Sequence, residues 1–237
     1  MNNSISRELK YIITQLKKYL EEEKFFDRDE IIYFVDNSTK NNLSKITVLD
    51  NLRTEVSKCK KCGLHKTRIK TVFGEGNPDA QLVFIGEGPG YDEDRQGKPF
   101  VGKAGQLLTK IIESINLKRD DVYITNIVKC HPLANPEKID MRGNDRPPTK
   151  EEIDSCLFYL EQQIDIIKPK IICTLGSYAS QSLINTSDGI TKYRGKIFEY
   201  RGIKLVPTYH PAALLRNPNL KIDVWTDMKL IRSLLTK

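Results

Sequence analysis

Residues 81–90 read Gln81-Leu-Val-Phe-Ile-Gly86-Glu-Gly-Pro-Gly90, and this stretch decides the fold. Its first half is a short apolar run closed by glycine, the pattern of a parallel strand buried on both faces. Its second half crowds Gly86, Gly88 and Gly90 into one loop, so the backbone can approach a ligand closely and turn its N–H groups inward. The loop is not a phosphate-binding P-loop, because no Gly-Lys-Ser/Thr closes it.

Working outward, residues 103–117 predict a helix and Val122–Val128 a second strand. Thr149-Lys-Glu-Glu152 is a capping box that opens a helix running to about Lys168, where Pro169 stops it. Ile171–Gly176 predicts a third strand, again followed by a helix. Ile203–Thr208 predicts a fourth, and 219–235 a last helix. Strands alternating with helices predict a parallel sheet with helices on both faces. Ligands of such sheets bind beyond the carboxyl ends of the strands. Gly86–Gly90, Asn126, Gly176-Ser177 and His210 all follow such ends.

Upstream, Ile5, Leu9, Ile12, Ile13, Leu16 and Leu20 fall on one face of an expected amphipathic helix over 5–24. Residues 36–45 are polar and turn-rich, as in a linker. The expected organisation is an N-terminal extension, 1–50, followed by one main domain, 51–237. The first 50 residues carry 8 Lys and Arg against 9 Asp and Glu, a net −1; the rest carry 30 against 22, a net +8. A basic domain is drawn to polyanions, nucleic acid foremost, although a solubilising surface has the same composition. The opening MNNSISRELK lacks the apolar run of a signal peptide, and no stretch approaches the roughly 18 apolar residues of a membrane helix. A cytoplasmic monomer with reduced thiols is expected.

The cysteines are spaced as ligands. Cys59 and Cys62 form a C-x-x-C pair, Cys130 follows the second strand, and Cys156 sits on the second turn of the capped helix. A disulfide scaffold does not suit so long a chain without a secretory signal. Four thiolates suit zinc and a 4Fe–4S cluster equally well. Cys173, inside a buried strand, reads as a core residue.

Gly86-Glu-Gly-Pro-Gly90, Glu93-Asp94, Pro99-Phe-Val-Gly102, Thr125-Asn-Ile-Val-Lys-Cys130 and His210-Pro-Ala-Ala-Leu-Leu-Arg216 together resemble the motifs of family 4 uracil-DNA glycosylases. The resemblance covers about residues 55–235, with five motifs in order and the cysteines interleaved. It implies a three-layer α/β/α sandwich with a central four-stranded parallel sheet, and a 4Fe–4S cluster on Cys59, Cys62, Cys130 and Cys156. It also implies an enzyme that flips deoxyuridine out of DNA and hydrolyses its N-glycosidic bond in repair, a bond out of reach in a stacked duplex.

Residue roles follow from the same resemblance. Asn126 matches the uracil reader: its amide offers a donor and an acceptor for uracil O4 and N3–H, and cytosine presents the opposite pattern. Phe100 matches the aromatic that stacks on the base. His210 matches the donor to uracil O2, where negative charge collects as the base departs. Gly86, Glu87 and Gly88 form the base-side loop. A related family carries a water-positioning aspartate where Gly88 stands, so Glu87 and Glu93 are each expected to assist the water modestly, with a backbone carbonyl as the alternative that holds it. Gly90 occupies the place of a tyrosine that excludes the thymine methyl elsewhere, which leaves that task to Glu93 or the loop wall. Ser177 and Arg216 are expected on DNA phosphates, and Leu214 with Leu215 as a wedge in the stack.

Two features depart from the family pattern: the extension before residue 50 and the loop-like segment His131–Pro148 between Cys130 and Cys156. The second bears on a rival reading, since one branch of the superfamily traps uracil-DNA covalently through a histidine in an inserted loop. That branch's Lys-Arg-Arg-Ile-His segment is absent, and the nearest histidine is His131. A protein that binds uracil-DNA without turnover is the other rival.

Overall fold

The computed structural model describes residues 44–184 and 186–236. The expected helix over 5–24 and the linker up to residue 43 lie outside them. Chain contacts divide the protein at Leu43/Ser44, and the compact unit that begins at Ser44 holds every element below. Lys45 opens a helix instead of closing the linker. Ser44 is its N-cap, with a side-chain oxygen that accepts from Thr47 N at 3.3 Å.

Six strands form one sheet: β1 (Glu75–Gly76), β2 (Leu82–Gly86), β3 (Tyr123–Asn126), β4 (Ile171–Leu175), β5 (Phe198–Tyr200) and β6 (Ile203–Thr208), in the order β1-β3-β2-β4-β6-β5. The four inner strands are parallel, as expected, and each edge adds an antiparallel strand that was not. Both additions are short. β1 has two residues and no periodicity to read. β5 joins β6 through Arg201-Gly202, whose φ values of 51° and 77° give the twist of a tight hairpin.

Eight helices accompany the sheet among the described residues: α1 (Lys45–Lys58), α2 (Tyr91–Gln96), α3 (Lys103–Glu113), α4 (Lys150–Ile167), α5 (Ser177–Ile184), α6 (Ile190–Tyr193), α7 (Pro211–Arg216) and α8 (Lys221–Leu235). The capping box of α4 forms in both directions, with Glu152 N on Thr149 Oγ1 at 3.3 Å and Thr149 N on Glu152 Oε2 at 2.8 Å. α3 ends earlier than the apolar spacing predicts, and Asn116 turns left-handed just beyond it.

Strand residues alternate between two cores. Val83, Ile85, Tyr123, Ile172 and Leu205 pack under α1, α4 and α5, whereas Leu82, Phe84, Ile124, Cys173 and Val206 pack under α3 and α8. The result is the three-layer α/β/α sandwich, with Cys173 in its interior. At about 1.5–3 kcal/mol for each fully buried Leu, Ile or Phe, these two layers are what hold the strand ends in register.

Candidate active site

Chain order reverses at β2, whose neighbours are β3 on one side and β4 on the other. A crevice opens at such a point, and here it is a cleft of about 560 Å³ lined by Glu87, Phe100, Asn126, Ser177, His210 and Arg216, among others. Loops after all four parallel strands contribute to it. A second, more open groove of about 670 Å³ beside Arg53, Lys70 and Lys98 contains none of the expected uracil-site residues.

Asn126 is the last residue of β3 and is 1% exposed. Its Oδ1 is buried without a hydrogen-bond partner among the described residues. An unmet buried acceptor costs roughly 1–3 kcal/mol, which makes this atom a candidate to meet a ligand donor. Gly86 lies opposite in the sheet register. A Cβ there would collide with Asn126 Oδ1 and stand 2.5 Å from Phe100 Cζ. Glycine at 86 therefore keeps open the slot between carboxamide and aromatic ring.

Phe100 is held by backbone and not by packing alone. It adopts φ 51°, a left-handed conformation uncommon for a bulky residue. Arg119 Nη2 donates to Pro99 O at 2.6 Å, and Glu93 Oε1 accepts from Val101 N at 2.9 Å and Gly102 N at 3.0 Å. Gly105 leaves room for the Phe100 carbonyl, which any Cβ would strike. Its ring lies 5.6 Å from that of His210, tilted by 33°.

His210 is the N-cap of α7, and its Nδ1 accepts from Ala212 N at 3.1 Å. Nδ1 is thus the unprotonated nitrogen, and Nε2 carries the hydrogen. Burial, helped by the charge of Arg216, pushes the ring down to about 4. At neutral pH His210 is an uncharged donor of fixed tautomer.

The two glutamates differ. Glu87 lines the cleft, and its carboxylate has no hydrogen-bond or ion-pair partner among the described residues. Burial raises it to about 7. Glu93 has one oxygen committed to the Val101 and Gly102 amides, where it serves the loop that carries Phe100. Asp94 is buried and accepts from Ile69 N at 3.1 Å.

Ser177 and Arg216 line the cleft on the His210 side. Leu214 does not: it is 1% exposed, inside the core beneath α3 and α8, because α7 turns that face inward. Leu215, 49% exposed, is the leucine of this pair that faces solvent. The 131–148 segment supplies a cleft wall through Pro132, Asp145, Arg146 and Pro147. Arg146 clamps it to α4 by a bidentate pair with Glu152 at 2.7 and 2.8 Å. His131 is buried with Nε2 held by Asp145 at 2.6 Å, and it is not among the residues lining the cleft.

Cys59, Cys62, Cys130 and Cys156 line one recess on the far side of β3 from Phe100, together with Arg68 and Tyr159. Backbone and side-chain donors point at sulfur: Lys129 N to Cys156 at 3.3 Å, Lys61 N to Cys59 at 3.5 Å, and Arg68 Nη1 to Cys130 at 3.3 Å. Burial and the neighbouring thiols push Cys130 up to about 12 and raise Cys156. Cys130 and Cys156 are thus disfavoured as thiolates, and bound iron or zinc would reverse that preference. Among the described residues, no three His, Cys, Asp or Glu side chains converge as ligands of a single ion.

Arg119, Gly105 and the Asp145–Pro147 wall escape a reading of the sequence. Each acts through contacts made far along the chain or through backbone shape, and no local pattern reports them.

Fold and cleft together define a three-layer α/β protein with a polar cleft beyond the carboxyl ends of a parallel sheet. The family described as the Uracil DNA glycosylase superfamily matches residues 73–229. The chain is similar to the type-4 uracil-DNA glycosylase of Archaeoglobus fulgidus, at 43% identity over 197 residues, 80% of this chain and 94% of that one. It is similar to that of Sulfurisphaera tokodaii at 46% over 195 residues (78% and 84%), and to that of Thermotoga maritima at 41% over 194 (80% and 96%). The chain belongs to the type-4 uracil-DNA glycosylases of that superfamily.

Proposed function

We propose that this protein is a DNA-repair hydrolase that receives a flipped deoxyuridine, cleaves its N-glycosidic bond, and releases uracil to leave an abasic site. The observation that carries the site assignment is the buried, unpartnered Oδ1 of Asn126 beside the neutral His210. Uracil N3–H completes the Oδ1, and the amide Nδ2 donates to O4. Cytosine would set an acceptor against Oδ1 and a donor against Nδ2. Phe100 stacks on the base within the slot that Gly86 keeps open.

As the C1′–N1 bond lengthens, its electron pair passes to the base and collects at O2. His210 Nε2–H donates there, and a donor in place before the reaction needs no reorganisation. Water adds to C1′ of the oxocarbenium-like sugar and gives up a proton. The ionised Glu87, whose carboxylate has no other partner among the described residues, orients this water and accepts the proton. Glu93 acts as a positioning residue for Phe100. Ser177, Arg216 and the exposed Leu215 meet the DNA strand around the flipped nucleotide.

Cys59, Cys62, Cys130 and Cys156 would hold a 4Fe–4S cluster, which supplies a structural clamp for the segments around Asn126. Four soft donors in one recess, with N–H groups aimed at sulfur, support this reading. Zinc is the alternative occupant of the same four donors. Among the described residues no helix is long and apolar enough to cross a membrane, and action as a cytoplasmic monomer on DNA is part of the same proposal.

The test is abasic-site formation from a uracil-containing oligonucleotide. The unaltered protein is expected to form it, and Asn126→Ala and His210→Ala to lose most of it. No product from the unaltered protein, or a product with a band that survives denaturation, would sink the turnover reading.

A further inference from the structure

Lys129 lies three residues beyond Asn126 and is 1% exposed. Its Nζ donates to Thr125 Oγ1, to the Asn126 carbonyl and to Gln163 Oε1, each at 2.7 Å. Those are three acceptors around one nitrogen, and among the described residues no carboxylate pairs with it. The acceptors are fixed in turn: Thr125 Oγ1 donates to Phe73 O at 2.9 Å, and Gln163 Nε2 donates to Phe73 O at 2.9 Å and to Tyr123 Oη at 3.2 Å. Every member of the network is satisfied, whereas the Asn126 side chain next to it is left open.

A buried amine is costly compared with an apolar side chain of similar length unless its hydrogen bonds are met. Its placement shows what it serves. β1 pairs with β3 only as far as Ile124, so the Asn126 carbonyl lies past the end of that ladder. Lys129 supplies the donor that the sheet does not. The N–H of the same peptide, Ile127 N, donates to Gly86 O at 2.9 Å, so with Lys129 on the carbonyl the peptide after Asn126 is held at both ends and the carboxamide stays aimed into the slot.

We infer that Lys129, through Thr125 and Gln163, is a positioning residue for uracil recognition, fixing the Asn126 backbone so that its side chain meets the base preoriented. This rests on Asn126 as the uracil reader. Displacement by about 1 Å at a reacting centre can cost on the order of a hundredfold in rate. An effect of about tenfold or more is therefore expected in Lys129→Met, on kcat and on the inhibition constant of free uracil, with KM for uracil-DNA within about twofold.

The deciding experiment is a double-mutant cycle. Lys129→Met is expected to slow excision about tenfold in the unaltered background and to have no effect in the Asn126→Ala background, because the group it positions is gone. A merely structural role would cost the same factor in both. Thr125→Val, which keeps the volume and removes the hydroxyl, is read in the same cycle and serves alone if Lys129→Met fails to fold. Thr125→Ser is expected to restore the rate. Equal losses in both backgrounds, or no loss from either substitution, overturn the inference. An Asn126→Ala protein of full activity would instead overturn the reading of Asn126, which separates the two failures.

Discussion

Replacing Glu87 by Gln isolates the group assigned to the water. Burial raises this carboxyl from an ordinary 4.5 to about 7. About nine in ten copies are then ionised at pH 8 and about one in a hundred at pH 5. His210, at about 4, stays neutral across this range and adds no limb of its own. Excision by the unaltered protein is therefore expected to rise about tenfold per pH unit up to 7 and to level off above it. Glu87→Gln should be slower by about 10–100-fold at pH 8, flat with pH, and close to the unaltered protein at pH 5. Stability moves the other way. A carboxyl whose folded-state pKa is raised favours folding only while protonated, so that contribution is lost as pH rises from about 4.5 through 7. The shift corresponds to at most about 3 kcal/mol, reduced because the side chain is half-buried. Glu87→Gln should thus be more stable than the unaltered protein at pH 8 by about 1–3 kcal/mol and equal to it at pH 4. The assays are alkaline cleavage of abasic sites in a uracil-containing oligonucleotide from pH 5 to 9, and thermal unfolding at both pH values. An acid limb near pH 7 that survives in Glu87→Gln would refute the assignment.

Gly86→Ala should abolish excision while leaving the fold intact, as its methyl would enter the slot between Asn126 and Phe100; circular dichroism and the excision assay together check this. Leu214→Ala should destabilise the protein by about 2–5 kcal/mol in denaturant unfolding, whereas Leu215→Ala should leave stability within about 0.5 kcal/mol and weaken binding to uracil-DNA. Cys130→Ser should lose the brown colour and the absorbance at roughly 400 nm expected of an iron–sulfur protein, together with iron content by metal analysis.

Much of the fold was legible because it rests on patterns that one element carries alone. The buried runs at Leu82–Gly86 and Ile171–Leu175 are too short and too apolar for exposed structure, and the Thr149–Glu152 box states where α4 begins. Leu214 shows where such reading stops. Two adjacent leucines on α7 look equivalent in sequence, and only the direction in which α7 docks on the core sends one inward and leaves the other in solvent. Glu93 shows the same limit. Its carboxylate was a natural partner for water, but Val101 N and Gly102 N lie within its reach once the loop folds back, and they engage one of its oxygens.

The sequence by itself determined the layered α/β class, the four parallel strands, and the types of group at their carboxyl ends, since strand period, caps and motif order are local or ordered along the chain. Tertiary structure decided what those groups can do. It left Asn126 Oδ1 without a donor, fixed the tautomer of His210 through Ala212 N, raised Glu87 by burial, and set Lys129 against the Asn126 carbonyl. Each of these depends on desolvation or on a hydrogen bond whose partners meet only when the chain has folded. Neither is written in residue type or spacing.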